Sequence, residues 1–363
     1  MIFLLSGTFA DLLSQESCTI SIHIYYIIQY GGFQYEGVFI LLDGGFSGIL
    51  LQTEGSRTME MEFGRPLTDR SHREWTDFLD EAGLKPDDTA DFTVMVRDGD
   101  VIAATGSMTE NILKCIAVND EYREEGLLGT VMTELRREAF ARGYDHLFLY
   151  TKPENRLRFE GLLFYGVAGT KDVLLMESER NGVRNFIASA EKPVTCGNIG
   201  AIVMNADPFT NGHRFLVKRA ADESDHVYVF VVSEDKGFFS AQDRFAMVKR
   251  GTCDIKNVTV LRTGPYLISQ ASFPTYFLKE DSPADEIKCD IDIEIFCKLF
   301  APAFGIKRRF LGTEPISHVT ADYNMRLEKE LPKEGIETEV IERLADAAGP
   351  ISARRVRRYI TEK

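Results

Sequence analysis

The sequence lacks several patterns that would assign it to a familiar class of protein. It has six cysteines, but no two of them form a Cys-x-x-Cys pair, and no spacing of Cys and His matches a zinc site. No apolar run approaches the roughly 18 residues that span a bilayer, and the N-terminus lacks the basic segment of a secretory signal. We therefore expect a cytoplasmic protein with free, buried thiols, no membrane partner and no cysteine-bound metal.

Basic residues are also fewer than acidic ones. The 363 residues contain 42 Lys and Arg against 56 Asp and Glu, which gives a net charge of -14. Because nucleic-acid phosphates require a positive surface, this balance argues against a general nucleic-acid binder. An anionic ligand would have to be held locally, by helix N-termini and a few basic residues. The share of hydrophobic residues, 44%, is that of a globular protein, and the length suggests two or three domains.

The first 58 residues differ in amino-acid composition from the rest of the chain. They contain no Lys, no Pro and a single Arg, Arg57, and they are rich in Ile, Tyr, Phe, Leu and Gly. One interpretation is a β-rich element packed on the next domain. The other, which the break in charge favours, is that translation starts at Met59 or Met61 and the stretch is not native protein. We therefore predict an atypical segment at 1–60, a first domain at 61–195 and a second at 196–363.

The stretch from 91 to 164 follows the order of elements of a known fold. Two strands joined by a turn at 98–100 precede a strand at 112–118, a glycine turn, a helix and a strand at 146–151. The apolar residues that give the helix its period are Leu127, Val131, Met132, Leu135 and Phe140. This order resembles the GNAT acetyltransferase fold, an α+β domain whose helix N-terminus cradles the pyrophosphate of coenzyme A.

The glycine turn departs from the GNAT pattern Arg-x-x-Gly-x-Gly/Ala. Arg123 and Gly126 are present, but Leu128 takes the third key position, and Glu124 and Glu125 stand where phosphate would approach. Acidic side chains repel an anion at this place. The resemblance therefore implies a GNAT-like shape, which either binds coenzyme A or serves as a scaffold or protein-docking module.

From about Gly197 the sequence alternates buried strands with helices. Apolar runs predict parallel strands at 199–204, 227–233 and 258–261, with later strands at 310–312 and 337–342. Helices are predicted between them at 213–221, 240–250, from about 285, and at 324–333. This alternation predicts a doubly wound α/β domain with its site at the carboxyl ends of the strands.

The loop at 205–213 follows the first of these strands and carries the clearest chemistry. Gly212 lets the backbone approach a phosphate closely, and the helix that follows offers free N–H groups. His213 adds a donor that can be cationic, which suits charge developing on an α-phosphate under attack and on pyrophosphate. The remaining candidate nucleotide-binding residues of the loop are Asn205, Pro208 and Phe209. An ordinary helix cap is the alternative, and a second motif downstream argues against it.

These features resemble the nucleotidyltransferase superfamily, whose first motif is (H/T)xGH, with Thr210 here in the first position. The second superfamily motif corresponds to the segment 351–357. Ser352 and a helix N-terminus can hold the β- and γ-phosphates, and Arg357 can neutralise their charge. Arg354 stands where such families often carry Ser, so one phosphate-binding hydroxyl is replaced by a cation.

Longer segments resemble one family within this superfamily, the citrate lyase ligases. These segments are 146–155, 231–235, 263–279, 311–315 and 319–324. They occur in the order of that family, and the resemblance extends from about Met61 to the end of the chain. It implies a GNAT-like domain followed by a Rossmann-like nucleotidyltransferase domain of the HxGH type.

The resemblance also implies an activity. ATP and acetate would give acetyl-adenylate, with His213, Thr210 and Arg357 as catalytic residues. The acetyl group would then pass to the thiol of the phosphoribosyl-dephospho-coenzyme A arm on the acyl carrier subunit of citrate lyase. Mg2+ is expected because triphosphate charge needs compensation. Tyr266, Ser269 and Lys279 are candidates to shape the acetate or nucleotide pocket.

Two other functions remain open from the residues. An adenylyltransferase acting on a pantetheine-like phosphate would transfer AMP and would not depend on acetate. A non-catalytic module that docks a carrier protein would bind ATP without turnover. The intact loop at 210–213 speaks against the second alternative.

Overall fold

In the computed structural model, the described residues are 25–30, 33–42, 46–52, 58–64, 67–87, 89–269, 271–272, 289–315, 317–347 and 349–362. Lys279 lies outside them. The chain packs as two compact units, Met1–Leu149 and Tyr150–Lys363. The domain boundary at 195 and 196 stays a prediction.

The first unit is built on antiparallel strands that follow one another in the chain. The strands are β1 (Tyr25–Tyr30), β2 (Phe33–Leu42), β3 (Phe46–Gln52), β4 (Thr58–Gly64), β5 (Phe92–Asp98), β6 (Val101–Thr109), β7 (Ile112–Val118) and β8 (Phe148–Thr151), which ends in the second unit. The helices are α1 (Asp69–Glu81) and α2 (Leu127–Ala141). Each strand from β1 to β7 pairs antiparallel with the next, whereas β7 and β8 pair in parallel. The GNAT-like order of elements is thus confirmed, and β1–β3 lie within the atypical first segment.

Helix α2 buries most of its predicted apolar stripe against the sheet. Leu127 and Leu135 are among its buried residues. The inclusion of Phe140 in this stripe is wrong, because Phe140 is 77% exposed. Ala139 takes its place: it lies four residues after Leu135, on the same face of the helix, and is fully buried.

The second unit begins with the end of β8 and contains a parallel sheet. Its first elements are α3 (Arg156–Glu160), β9 (Tyr165–Gly169), β10 (Leu174–Glu177) and α4 (Gly182–Ser189). The elements that follow are β11 (Ile199–Met204), α5 (Asn211–Asp222), β12 (His226–Val231), α6 (Ala241–Gly251), β13 (Val258–Arg262), α7 (Asp290–Ile295), α8 (Ala301–Phe304), β14 (Ile306–Gly312), α9 (His318–Glu330), β15 (Glu337–Ile341), β16 (Ala345–Asp346), β17 (Gly349–Pro350) and α10 (Ala353–Thr361). A π-helical turn at Phe296–Phe300 joins α7 to α8.

The parallel sheet has the strand order β13-β12-β11-β14-β15, and every neighbouring pair is parallel. The chain winds outward from β11 to β13, returns to β14 beside β11, and winds outward again to β15. This is the doubly wound topology predicted from the sequence. Its switch point lies between β11 and β14, where ligands bind in folds of this kind.

Strand β12 explains why the apolar runs of this unit are continuous rather than alternating. Val229 packs in the core cluster that includes Val217 of α5 and Val248 of α6. Phe230 packs instead against the rings of Phe300 and Phe304, with centroids 5.5 and 5.2 Å away. Both faces of the strand are therefore covered, and every residue from His226 to Val231 is buried.

Two predicted helix boundaries shift in the structure. Helix α9 begins at His318 rather than 324, because the Ser317 side chain accepts a hydrogen bond from the Thr320 N–H and caps it earlier. The helix expected from about 285 is described from Asp290 onward, and residues 281–288 lie outside the described residues. None of the helices that the structure describes is long and apolar enough to cross a membrane.

Candidate active site

A cavity of about 430 Å³ opens at the switch point of the parallel sheet. The ends of β11 and β14 form its floor, and the N-terminal turns of α5 and α10 border it. Seven of the predicted site residues line it: Asn205, Thr210, Gly212, His213, Ser352, Arg354 and Arg357. Residues from two motifs about 140 positions apart in the sequence therefore share one cavity.

The N-terminus of α5 is locked by a reciprocal pair of hydrogen bonds. Thr210 is the residue before the helix, and its Oγ1 accepts from the His213 N–H at 3.4 Å. The Thr210 N–H in turn donates to His213 Nδ1 at 3.0 Å. This capping box fixes the imidazole ring and assigns the proton of neutral His213 to Nε2.

The surroundings of His213 favour its neutral form in the free protein. Burial is the main cause that lowers the pKa of His213, to about 4, and the positive charge of Arg343 acts in the same direction. The imidazole therefore offers a neutral Nε2–H donor throughout the physiological pH range. Phe209 stacks on this imidazole, with centroids 5.8 Å apart and planes 18° apart.

Asp207 organises the loop before α5 and is not a free metal ligand. Its two carboxylate oxygens accept hydrogen bonds from the backbone N–H groups of Phe238 and Phe239, each at 2.8 Å. Arg357 donates to the Asp207 carbonyl oxygen, and its guanidinium lies 3.5 Å from Oδ2. Asp207 thus ties the first motif both to the loop before α6 and to the second motif.

The two motifs also touch through their backbones. A Cβ atom on Gly212 would lie only 3.1 Å from the carbonyl oxygen of Ile351. Residue 212 has no side chain, so the two loops can approach this closely. Ser352 caps α10 by accepting from the Arg355 N–H at 3.2 Å, which leaves the first turn of that helix facing the cavity.

Arginines concentrate on the cavity wall although the chain as a whole is acidic. The cations that line it are Arg309, Arg343, Arg354 and Arg357, and the carboxylates are Asp207, Glu314 and Glu342. Arg343 pairs with Glu314, whose other oxygen accepts from the Ser317 N–H at 3.1 Å. With the N-termini of α5 and α10, these cations make the cavity a binding site for a large anion.

Arg244 supports this site from below and was missed by the sequence analysis. It is fully buried on α6 and donates to the carbonyl oxygens of Asn205, Val232 and Glu234. It also donates to the side-chain oxygen of Asn205, which therefore serves as an anchor of the loop as well as lining the cavity. The loops that follow β11 and β12 are held together by this one side chain.

The remaining predicted site residues lie away from the cavity wall. Tyr266 donates to Glu177 at 2.8 Å, and Ser269 donates to the Pro265 carbonyl oxygen at 2.7 Å; both side chains are buried. Neither they nor Pro208 and Phe209 line the cavity. Lys279 falls outside the described residues. Among the described residues, no group of three or more His, Cys, Asp or Glu side chains is placed to hold a metal ion.

The inner wall contains a second buried arginine that sequence reasoning missed. Arg309 of β14 is 2% exposed, and its guanidinium lies over the Phe296 ring at 4.4 Å. Nearby, buried Asp292 accepts hydrogen bonds from the hydroxyls of Ser272 and Tyr323, at 2.9 and 2.5 Å. Arg308 and Arg309 precede the strand predicted at 310–312, and β14 in fact begins at Ile306, so that one of the two successive arginines must face inward.

Comparisons with known proteins show which family the chain resembles. The family described as citrate lyase ligase C-terminal domain matches residues 199–363. The chain is similar to a citrate (pro-3S)-lyase ligase of Escherichia coli K12, at 41% identity over 78% of this chain and 83% of the relative. A protein of the same name from Klebsiella pneumoniae is 38% identical over 82% of this chain and 89% of the relative. A phosphopantetheine adenylyltransferase of Streptococcus equi subsp. zooepidemicus is 39% identical over 67 residues, 18% of this chain and 40% of the relative.

Proposed function

The chain belongs to the citrate lyase ligase family, and on that premise we propose that it uses ATP to acetylate the acyl carrier subunit of citrate lyase. The acceptor would be the thiol of the phosphoribosyl-dephospho-coenzyme A arm, and acetate would be the acyl donor. The main support for the proposal is that the loop at 205–213 and the segment 351–357 line the same cavity and lie in close contact. The N-termini of α5 and α10 then face the same bound anion.

We assign the triphosphate to the arginine-lined part of the cavity. The N–H groups of α5 and the His213 Nε2–H would contact the α-phosphate. Ser352, Arg354 and Arg357, with the N-terminus of α10, would hold the β- and γ-phosphates. Thr210 acts as a positioning residue, since both its N–H and its hydroxyl are engaged with His213.

The first step joins acetate to AMP. A carboxylate oxygen of acetate forms a bond to the α-phosphorus, and the bond from that phosphorus to the bridging oxygen breaks, so that pyrophosphate leaves. Acetate is a weak nucleophile, so alignment beside the α-phosphate contributes more than base catalysis would. The neutral Nε2–H donor of His213 stabilises negative charge that increases on the phosphate oxygens in the transition state.

The second step transfers the acetyl group. The thiol sulfur forms a bond to the acetyl carbon, the bond from that carbon to the AMP oxygen breaks, and the thiol proton passes to solvent. AMP and the acetylated carrier are the products. Mg2+ would accompany ATP and neutralise phosphate charge; Glu342 and Glu314 are the carboxylates of the wall outside the Asp207 anchor.

Acetate-dependent exchange of labelled pyrophosphate into ATP tests this function with the full chain and Mg2+. We expect exchange that requires acetate, because labelled pyrophosphate enters ATP only when acetyl-adenylate forms and the step then reverses. Parallel reactions contain no acid, or 4′-phosphopantetheine in place of acetate. Exchange with 4′-phosphopantetheine alone would replace the ligase function with an adenylyltransferase, and ATP binding without any exchange would indicate the docking module.

Two further proposals concern organisation and location. The match of the family to residues 199–363 supports a domain boundary near 196, with the GNAT-like domain at 61–195. All five cysteines that the structure describes are free thiols, and burial raises the pKa of Cys289 to about 12. Cys196 and Cys253 are exposed, so the expectation that the thiols are buried is wrong for these two, and the unpaired state of all five supports a cytoplasmic location.

A further inference from the structure

Arg309 is a buried cation without a partner for part of its guanidinium. Its Nε has no hydrogen-bond partner among the described residues, and the guanidinium forms no ion pair with any described carboxylate. The side chains of Tyr323 and Asp292 act on it electrostatically, and the Phe296 ring covers one face. A buried charge that is only partly satisfied is costly, and an anion at the guanidinium would remove that cost.

The nearest acidic side chain is already committed elsewhere. Asp292 accepts hydrogen bonds from the Ile268 N–H, the Ser272 hydroxyl and the Tyr323 hydroxyl. These three donors hold its oxygens in place, and no ion pair joins Asp292 to Arg309 in the described part of the chain. Asp292 is therefore fully engaged, and it leaves the buried Nε of Arg309 without a hydrogen-bond acceptor among the residues that the structure describes.

The surroundings of Arg309 suit a small organic anion. Arg309 lies on the inner wall of the cavity with the apolar side chains of Ile268, Leu311 and Val319. The triphosphate has its own cations, Arg343, Arg354 and Arg357, at the helix N-termini. A single buried guanidinium among apolar groups matches a monovalent carboxylate with a short alkyl tail.

Resting on the proposed function, we propose that Arg309 binds the carboxylate of acetate and orients it for attack on the α-phosphate. The Arg309 guanidinium would donate to one carboxylate oxygen and leave the other oxygen to form the bond to phosphorus. Arg309 then determines that the acyl substrate is a carboxylate, while the apolar wall limits the length of its alkyl tail. The residue acts on acetate and not on ATP.

Steady-state exchange kinetics of Arg309→Gln and Arg309→Lys separate these roles. We expect Arg309→Gln to raise the KM for acetate about 10- to 100-fold, the effect of one charge-assisted hydrogen bond, with the KM for ATP unchanged. Arg309→Lys keeps the charge but loses the planar guanidinium, so its KM for acetate should lie between those of the wild type and Arg309→Gln. Arg308→Gln is the matched control, because that neighbour pairs with Glu337 and Glu339 outside the cavity.

A merely structural role would predict a different result. A lowered melting temperature with an unchanged KM for acetate, or an equal rise in the KM for ATP, would overturn the proposal. If Arg309→Gln does not fold, Arg309→Lys carries the same test.

Direct binding keeps this test distinct from that of the overall function. Carbon-13-labelled acetate is titrated by NMR into the protein saturated with a non-hydrolysable ATP analogue. Binding by the wild type that is lost in Arg309→Gln supports the subsite even if exchange is absent and the ligase function fails. Equal acetate binding by both proteins overturns the subsite and leaves the ligase function standing.

Discussion

Each of the two units has a helix with a glycine at its N-terminus, Gly126 before α2 and Gly212 in the first turn of α5, and the two helix starts differ in almost everything else. In the first unit, Gly126 precedes α2 with φ of 70° and no side chain caps the helix. Arg123 pairs with Asp120 at 2.6 Å, and two glutamates lie beside it in the sequence. In the second unit, Thr210 and His213 form a capping box.

The difference shows that a helix N-terminus alone does not make an anion site. The partial positive charge is the same for α2 and α5, about half an elementary charge. At α5 it is joined by a second helix N-terminus and by a cavity wall with four arginines against three carboxylates, whereas at α2 the adjoining Arg123 is paired with Asp120. The surrounding charges, which come from distant parts of the chain, decide whether the turn can hold a phosphate.

The largest loss of activity is expected when the His213 donor at the N-terminus of α5 is removed. We expect His213→Ala to reduce acetate-dependent pyrophosphate exchange about 100- to 1,000-fold, the usual cost of losing one preorganised donor to developing charge. The rate is measured at saturating ATP and acetate, and circular dichroism verifies folding. His72→Ala is the control, since that histidine contacts Trp75 on α1 in the other unit. A folded His213→Ala protein with a near-normal rate would refute the role of this loop.

A smaller loss should follow when the link between the two motifs is cut. Arg357→Ala removes the donor to the Asp207 carbonyl oxygen and one cation of the wall. We expect exchange to fall about 10- to 100-fold and the KM for ATP to rise, as for other charge-assisted contacts. Arg358→Ala is the matched control, because its exposed side chain pairs with Glu362 and does not line the cavity. Equal effects of the two substitutions would contradict a specific role for Arg357.

The smallest effect is expected at the other turn. Gly126→Ala places a side chain at a positive φ, which should lower the free energy of unfolding by about 1 kcal/mol. Chemical denaturation measures this change, and exchange should remain at the wild-type rate. Gly129→Ala, within α2 where an added Cβ meets nothing within 4 Å, should not lower the free energy of unfolding, because Ala is the better helix former, and should leave exchange unchanged. A loss of exchange in Gly126→Ala would mean that the α2 turn takes part in adenylation.

Local pattern was sufficient to predict the order of elements and the two motifs. The apolar runs of β11 and β12 are long because both faces of a doubly wound sheet are covered. The loop at 205–213 and the segment 351–357 were recognisable from their residue types alone. That they meet depends on the switch point between β11 and β14, which the alternation of strands and helices implies.

The residues that sequence reasoning missed act through distant partners. In the sequence, Arg244 looks like one more charged residue of an amphipathic helix. Its role depends on hydrogen bonds to three carbonyl groups of residues earlier in the chain. Tyr266 and Ser269 were placed in the pocket because they are polar residues within a motif. Their hydroxyls instead satisfy Glu177 and Pro265 inside the protein, contacts that only tertiary structure determines.

Arg244 also determines whether the active-site loop would keep its conformation in another protein. Transferring residues 205–213 to another Rossmann-like scaffold would transfer the motif without the arginine that holds it in place. The recipient would need an arginine at the equivalent place on the helix that follows its second parallel strand, with carbonyl groups turned toward it from two loops. A chimera exchanged at the boundary between β12 and α6 should consequently lose the shape of a loop that lies entirely on the other side of the junction.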